Sequence, residues 1–300
     1  MKSSKLASYT WVVIVFSVLL ILWGAYMGAT GSAAGCGGQW PLCNGALLPS
    51  LSSSETLIAY IHWLGSGLVL FLALILLLWT WRAFPAGHPA RLGAMSAMLL
   101  IVLEALLGAL LALSGEAVQE ASLGRGIVQV LHLILSFLLL AGLALTARWA
   151  AGGDPLHLKG HGVGAWLFGF ALLGLILVGV GGVLNAMGDA LASPDLGAWH
   201  PLAAILVSVF VLFTITLVSL FRSNPLIHRL SKILAGLILA EMVAGLVNSI
   251  LQAPVWMQLM HLLLAVLVWI VLVVLAAVNF AESEVCHSIH APETDEHSAA

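Results

Sequence analysis

Eight apolar runs divide the chain, near residues 10–30, 57–80, 92–113, 127–149, 163–184, 198–220, 230–251 and 256–280, with short polar connections between them. Each is long enough to cross a hydrocarbon core, which takes about 20 helical residues. In lipid the backbone must satisfy its own N–H and C=O groups, so only helices and closed barrels span. The runs lack the strict alternation of barrel strands. The expected fold class is therefore all-α and integral to the membrane, with eight transmembrane helices. Composition agrees, because only 8% of the 300 residues are charged, where a soluble domain carries about a quarter. Ten Lys and Arg stand against thirteen Asp and Glu. That balance leaves no basic face for a nucleic acid and no polybasic patch for lipid headgroups, so contact with membrane lipid falls to apolar side chains.

The first run follows only Lys2 and Lys5 and resembles a signal peptide in outline. No small-residue cleavage site closes it, and Gly24 to Gly31 continue it, so it reads as helix 1. The connections then set a sidedness. Lys2, Lys5, Arg82, Arg91, Arg148, Lys159, Arg222, Arg229 and Lys232 fall on the amino-terminal side of an eight-span arrangement, and Arg125 falls opposite. The positive-inside rule makes both termini cytoplasmic in a multi-pass protein of the cell membrane, with 31–56, 114–126, 185–197 and 252–255 facing outward. Residues 283–300, polar and rich in Ser, His and acidic groups, read as a disordered cytoplasmic tail; Cys286 and His290 within it are too few for a metal site.

An internal duplication is visible in the histidines. Helix 4 contains Gln129-Val130-Leu131-His132-Leu133 and helix 8 contains Gln258-Leu259-Met260-His261-Leu262, both Q-x-x-H-L. Helices 2 and 6 hold His62 and His200 in corresponding places, and helices 3 and 7 each hold one acidic residue, Glu104 and Glu241. The chain thus reads as two pseudo-symmetric four-helix bundles, 1–150 and 160–282, joined by the polar stretch Ala150 to Gly162. Helices 2, 4, 6 and 8 run in one direction, and each histidine lies within about two turns of its outer end. Each half therefore offers two imidazoles at one height, the arrangement that grips an iron porphyrin from both faces.

Other readings of these histidines are a hydrogen-bonded membrane core, a bare metal-ion site, or a proton relay. Zinc or di-iron would want carboxylates beside the histidines, and Glu104 and Glu241 lie on other helices without an E-x-x-H spacing. Each histidine is followed at i+4 by a small residue, Ser66, Ser136, Ala204 or Ala265, which leaves its face open. Gln129 and Gln258, three residues before their histidines, are candidates to hold the second ring nitrogen. His88, His157, His161, His228, His287, His290 and His297 fall in connections or the tail and read as solvated.

In the outer connection, Cys36 and Cys43 sit on the oxidising side, where a disulfide or a reversible dithiol is chemically reasonable, with two separate thiols as the alternative. Gln39, Trp40 and Pro41 between them suit a cap over the bundle mouth.

The string Thr30-Gly31-Ser32, Gly35-Cys36-Gly37, Gln39-Trp40-Pro41-Leu42-Cys43 and Gly45, with Glu104-Ala105-Leu106-Leu107-Gly108-Ala109 and the four paired histidines, resembles the heme A synthase family across all eight spans. The resemblance implies an enzyme, a heme-dependent oxidoreductase that oxidises the C8 methyl of heme O to the formyl of heme A for terminal oxidase assembly. It assigns a heme b cofactor to His200 and His261 and the substrate heme to His62 and His132. It also implicates Cys36 and Cys43 in redox exchange or heme transfer over the substrate half. The family usually carries a glutamate three residues before the first histidine and an arginine directly after it, where this chain has Ala59 and Trp63.

Glu55, seven residues before His62, is a carboxylate candidate for a rearranged site or a helix-start residue; Arg125, seven before His132, is a candidate partner for a heme propionate. The alternative function is a heme-binding electron-transfer or heme-handling membrane protein of the same architecture that does not hydroxylate. A transporter, with charged pathway residues near the midplane, is a further rival. A heme O synthase is a candidate partner, and the electron donor is open. The glycines of Gly179-Val180-Gly181-Gly182 permit close helix approach, within the chain or in a homo-oligomer.

Overall fold

A computed structural model describes residues 2–50, 53–113, 123–157, 162–186 and 195–281. Eight long helices follow one another: α1 Lys2–Ala29, α2 Ser54–Ala83, α3 Pro89–Leu113, α4 Leu123–Ala150, α5 Gly162–Ala186, α6 Asp195–Phe221, α7 Pro225–Ile250 and α8 Val255–Ala281. All eight are long and apolar enough to cross a membrane. Most extend beyond the apolar runs, because the polar residues flanking a span continue the helix once they leave hydrocarbon. α1, for example, begins eight residues before its run, at Lys2 rather than at 10. The tail expected at 283–300 lies outside the described residues.

Local chemistry sets the helix ends. Ser53 accepts the Thr56 N–H to start α2, and Asn224 accepts the Leu226 N–H ahead of Pro225 to start α7. The connections 84–88, 222–224 and 251–254 are short enough to force antiparallel neighbours. Inside the helices Thr10, Ser17, Thr146 and Thr214 donate to the carbonyl four residues earlier, which satisfies buried hydroxyls without a partner helix.

Contacts close each half on itself. α1 packs on α2 and α4, α2 on α3, and α3 on α4; α5 packs on α6 and α8, α6 on α7, and α7 on α8. The halves meet chiefly where α4 touches α8 and α5, and α1 touches α8. α8 is the central post, with 56% of its most apolar stretch buried against 11% for α5, which spends most of its surface on the exterior. At the seam Trp269 donates Nε1–H to the Phe137 carbonyl (2.7 Å), and the two rings stack at 5.1 Å. Leu64, Phe71, Leu99, Leu206 and Leu246 point outward from α2, α3, α6 and α7, as lipid-facing side chains do. The eight-span, all-helical expectation therefore holds, and the two closed rings of helices are consistent with an internal duplication.

Candidate functional site

In the carboxy-terminal half His200 sits near the start of α6 and His261 in the second turn of α8. Their ring centroids are 6.3 Å apart and their planes lie at 81°. His200 Nδ1 is 3.0 Å from the Val178 carbonyl of α5. A carbonyl only accepts, so Nδ1 carries the proton and Nε2 keeps its lone pair. His261 Nδ1 lies 3.1 Å from Glu241 Oε1 on α7, an ion-pair separation, and both Glu241 and His261 are partly buried. Both rings thus turn Nδ1 toward a neighbouring helix and leave Nε2 for a ligand.

The spacing can be tested against a metal. An imidazole centroid lies about 1.1 Å behind its nitrogen and a metal–imidazole bond is about 2.0–2.1 Å, so two trans imidazoles on one ion place their centroids about 6.3 Å apart. The observed pair fits. Glycines make room for it: a Cβ on Gly182 would come within 3.2 Å of His200 Cε1, and one on Gly245 within 3.0 Å of His261 Cε1.

The amino-terminal half repeats this plan with changes. His132 on α4 pairs through Nδ1 with Glu104 Oε2 of α3, and Ser136, one turn further along α4, donates to Glu104 Oε1 at 2.7 Å. His62 on α2 rests against Gly24 of α1, where a Cβ would stand 2.9 Å from Cε1. Its buried Nδ1 has no hydrogen-bond partner.

Above His62 the outer connection folds into a cap. Cys36 and Cys43 are joined by a disulfide and fully buried. The loop is tied to the start of α2 by the Thr56 hydroxyl, which donates to the Gly35 carbonyl at 2.8 Å. Gly35 is obligatory there, because a Cβ would lie 2.2 Å from the Glu55 carbonyl oxygen. Ala59 is buried directly beneath the disulfide, with Met27, Tyr60 and Trp63 around it. The position where the resemblance calls for a glutamate is thus occupied by a buried methyl group clustered with the two cysteines. Glu55 is exposed in the first turn of α2. Arg125 is half-buried in the first turn of α4, about 10 Å along the helix from His132.

Two expectations about supporting residues are corrected. Gln258 donates to the Ala253 carbonyl at 2.6 Å and closes the loop before α8 instead of reaching His261. The role expected of Gln129 belongs to Glu104, which takes His132 Nδ1. Glu104 and Glu241, although they lie on other helices, are the residues that touch the histidines. The signal available in the sequence is an E-x-x-x-G spacing in both halves, Glu104 with Gly108 and Glu241 with Gly245. The glycines at 179–182 act within the chain: Gly179 approaches Leu133 and Phe137 of α4, and Gly181 and Gly182 approach His200. His88 is structural, accepting the Ala90 N–H and stacking on Phe84 at 4.1 Å. Among the described residues no group of three or more His, Cys, Asp or Glu side chains is arranged for a bare metal ion.

These features describe an eight-helix membrane protein in which His200 and His261 face one another in one ring of helices, while His62 and His132 lie against neighbouring helices in the other. Comparison with known proteins agrees. Residues 193–273, which hold His200, Glu241 and His261, match the family described as COX15-CtaA, cytochrome oxidase assembly protein. A protein of Thermus thermophilus named protoheme IX farnesyltransferase is 46% identical over 293 residues, 91% of this chain but 48% of that protein. The chain spans about half the length of that relative. Heme A synthases of Geobacillus kaustophilus and Bacillus cereus strain 03BB102 are 27% and 26% identical over 275 and 274 residues, about 85% of each chain. The chain is thus similar to heme A synthases over most of its length, and its residues 193–273 match the COX15-CtaA family.

Proposed function

We propose that the chain is a heme A synthase, a membrane oxidoreductase that converts heme O to heme A. The observation that carries this reading is the His200–His261 pair, whose 6.3 Å centroid spacing would let the two imidazoles hold one iron, with His200 Nδ1 against the Val178 carbonyl and His261 Nδ1 3.1 Å from Glu241. Two histidines are too few for a bare ion, but a porphyrin brings four nitrogens of its own. His200 and His261 would hold heme b, and His62 and His132 the substrate heme.

Bound heme b supplies one-electron chemistry. The protein's part is to orient the imidazoles through Val178, Glu241 and Glu104, to keep the mouth dry with the disulfide-closed loop, and to bind propionates at the outer end, for which Arg125 is the candidate. Glu104 is the carboxylate nearest the amino-terminal pair, and exposed Glu55 fits a helix-start role. Both termini would be cytoplasmic in the cell membrane. A heme O synthase is a candidate partner, since the longer Thermus relative bears a protoheme farnesyltransferase name.

A second reading, a heme-binding protein of this family that does not hydroxylate, is favoured by Ala59 beneath the disulfide. Supplying heme O to cells expressing the chain and extracting their pigments decides between them. Heme A appears if the first reading holds; heme b with unchanged heme O supports the second.

A further inference from the structure

Hydroxyls inside these helices settle on their own backbone. Ser66 donates to the His62 carbonyl at 2.9 Å, four residues earlier, as Thr10, Ser17, Thr146 and Thr214 do on their helices. Ser136 stands at the same spacing after His132 but directs its single proton elsewhere: it crosses from α4 to α3 and donates to Glu104 Oε1 at 2.7 Å. Glu104 is buried, and its other oxygen, Oε2, meets His132 Nδ1. One carboxyl group is thus held at both oxygens by two side chains one turn apart on α4.

The other half shows the same carboxyl without the hydroxyl. Ala265 takes the place of Ser136, four residues after His261. Glu241 Oε1 comes within 3.1 Å of His261 Nδ1, yet His261 Nδ1 and Glu241 Oε2 are both buried without a hydrogen-bond partner. The carboxyl is near enough but turned out of line. The last torsion of a glutamate is broad and soft, so one contact does not fix the plane of its oxygens. A second contact does, and in the amino-terminal half Ser136 supplies it.

We propose that Ser136 is a positioning residue for His132: its hydroxyl sets the plane of the Glu104 carboxyl so that Oε2 accepts the His132 Nδ1–H and Nε2 is left for iron. The inference rests on the proposed heme-binding function and deepens it. An acceptor at the second nitrogen fixes the ring's orientation and makes it a stronger donor to a metal, and losing such support weakens binding about 10–100-fold. A stronger donor favours ferric over ferrous iron, so the hydroxyl also lowers the potential of the heme that His132 holds.

The test reads hemin affinity and midpoint potential in two full-length backgrounds. His200→Ala with His261→Ala leaves the amino-terminal site, and His62→Ala with His132→Ala leaves the carboxy-terminal one. In the first, Ser136→Ala weakens hemin binding about tenfold and raises the potential. Ser136→Thr, which keeps the hydroxyl, restores both values, and Ser66→Ala, which removes a hydroxyl that donates within its own helix, changes neither. In the second, Ala265→Ser supplies the missing donor to Glu241, tightening hemin binding and lowering the potential. Unchanged values in Ser136→Ala overturn the inference, as does weaker binding at an unchanged potential, which marks a merely structural role. Hemin uptake confined to the carboxy-terminal site also overturns it while heme binding by the chain stands. Uptake at neither site, in these backgrounds or the wild type, sinks the functional reading and this inference with it.

Discussion

Gly245→Ala isolates what one methyl group does beside His261, a proposed heme ligand. A Cβ at this position would stand 3.0 Å from His261 Cε1, and ordinary contact begins near 3.4 Å, so the imidazole must yield by about 0.4 Å. It has little freedom to do so, because Nδ1 faces Glu241 at 3.1 Å and the ring is spaced 6.3 Å from His200. Two opposing terms act on the apoprotein: overpacking costs about 1–3 kcal/mol, and replacing a helical glycine by alanine returns up to about 1 kcal/mol. The net change in stability is small, about 0–2 kcal/mol. Heme binding has no such offset, and disturbing the partner of a ligating histidine weakens it about 10–100-fold, or roughly 1.4–2.8 kcal/mol. Gly236, on the same helix with nothing within 4 Å of its built Cβ, is the control: Gly236→Ala leaves heme retention unchanged and the melt equal or slightly higher. Transfer of bound heme to a scavenging protein, alongside detergent melts of apoprotein, separates the two quantities. Equal retention in Gly245→Ala and wild type would refute the claim that His261 is held in register by its neighbours.

Replacing Cys36 and Cys43 together by alanine removes a cross-link across a seven-residue separation. The chain-entropy model puts its stabilisation at about 2–3 kcal/mol for so short a loop. The local effect is faster proteolysis within residues 31–50, while the carboxy-terminal half keeps its heme. Trp269→Phe retains an aromatic ring at the seam between the halves but leaves the buried Phe137 carbonyl without its Nε1–H donor. A loss of about 1–3 kcal/mol follows, measured by unfolding in mixed detergent; no change would mean that the seam carries no stability.

The architecture was legible because lipid leaves few choices. A run of apolar residues that must satisfy its own backbone is a helix, and short connections such as 222–224 make neighbours antiparallel. The repeated Q-x-x-H-L suggested a duplication, with which the two rings of helices are consistent. The partners of the histidines were not legible. Gln129 and Gln258 share a helix with His132 and His261, and spacing along one helix suggested a contact that the packing of the next helix supplies instead. Glu104 and Glu241 reach the imidazoles only because α3 lies on α4 and α7 on α8, which sequence periodicity does not state. The burial of Ala59 under the disulfide was equally hidden, because it depends on Gly35 bringing the loop down onto α2.

The most direct test of the central claim is the electron paramagnetic resonance spectrum of the hemin-loaded ferric protein, recorded for the wild type and for His200→Ala and His261→Ala. Axial imidazoles at 81° give a strongly anisotropic low-spin signal. The account predicts that signal in the wild type and its disappearance in each variant. A spectrum without this strongly anisotropic signal, or one in which this signal, as distinct from that of a heme held by His62 and His132, survives both substitutions, would contradict it.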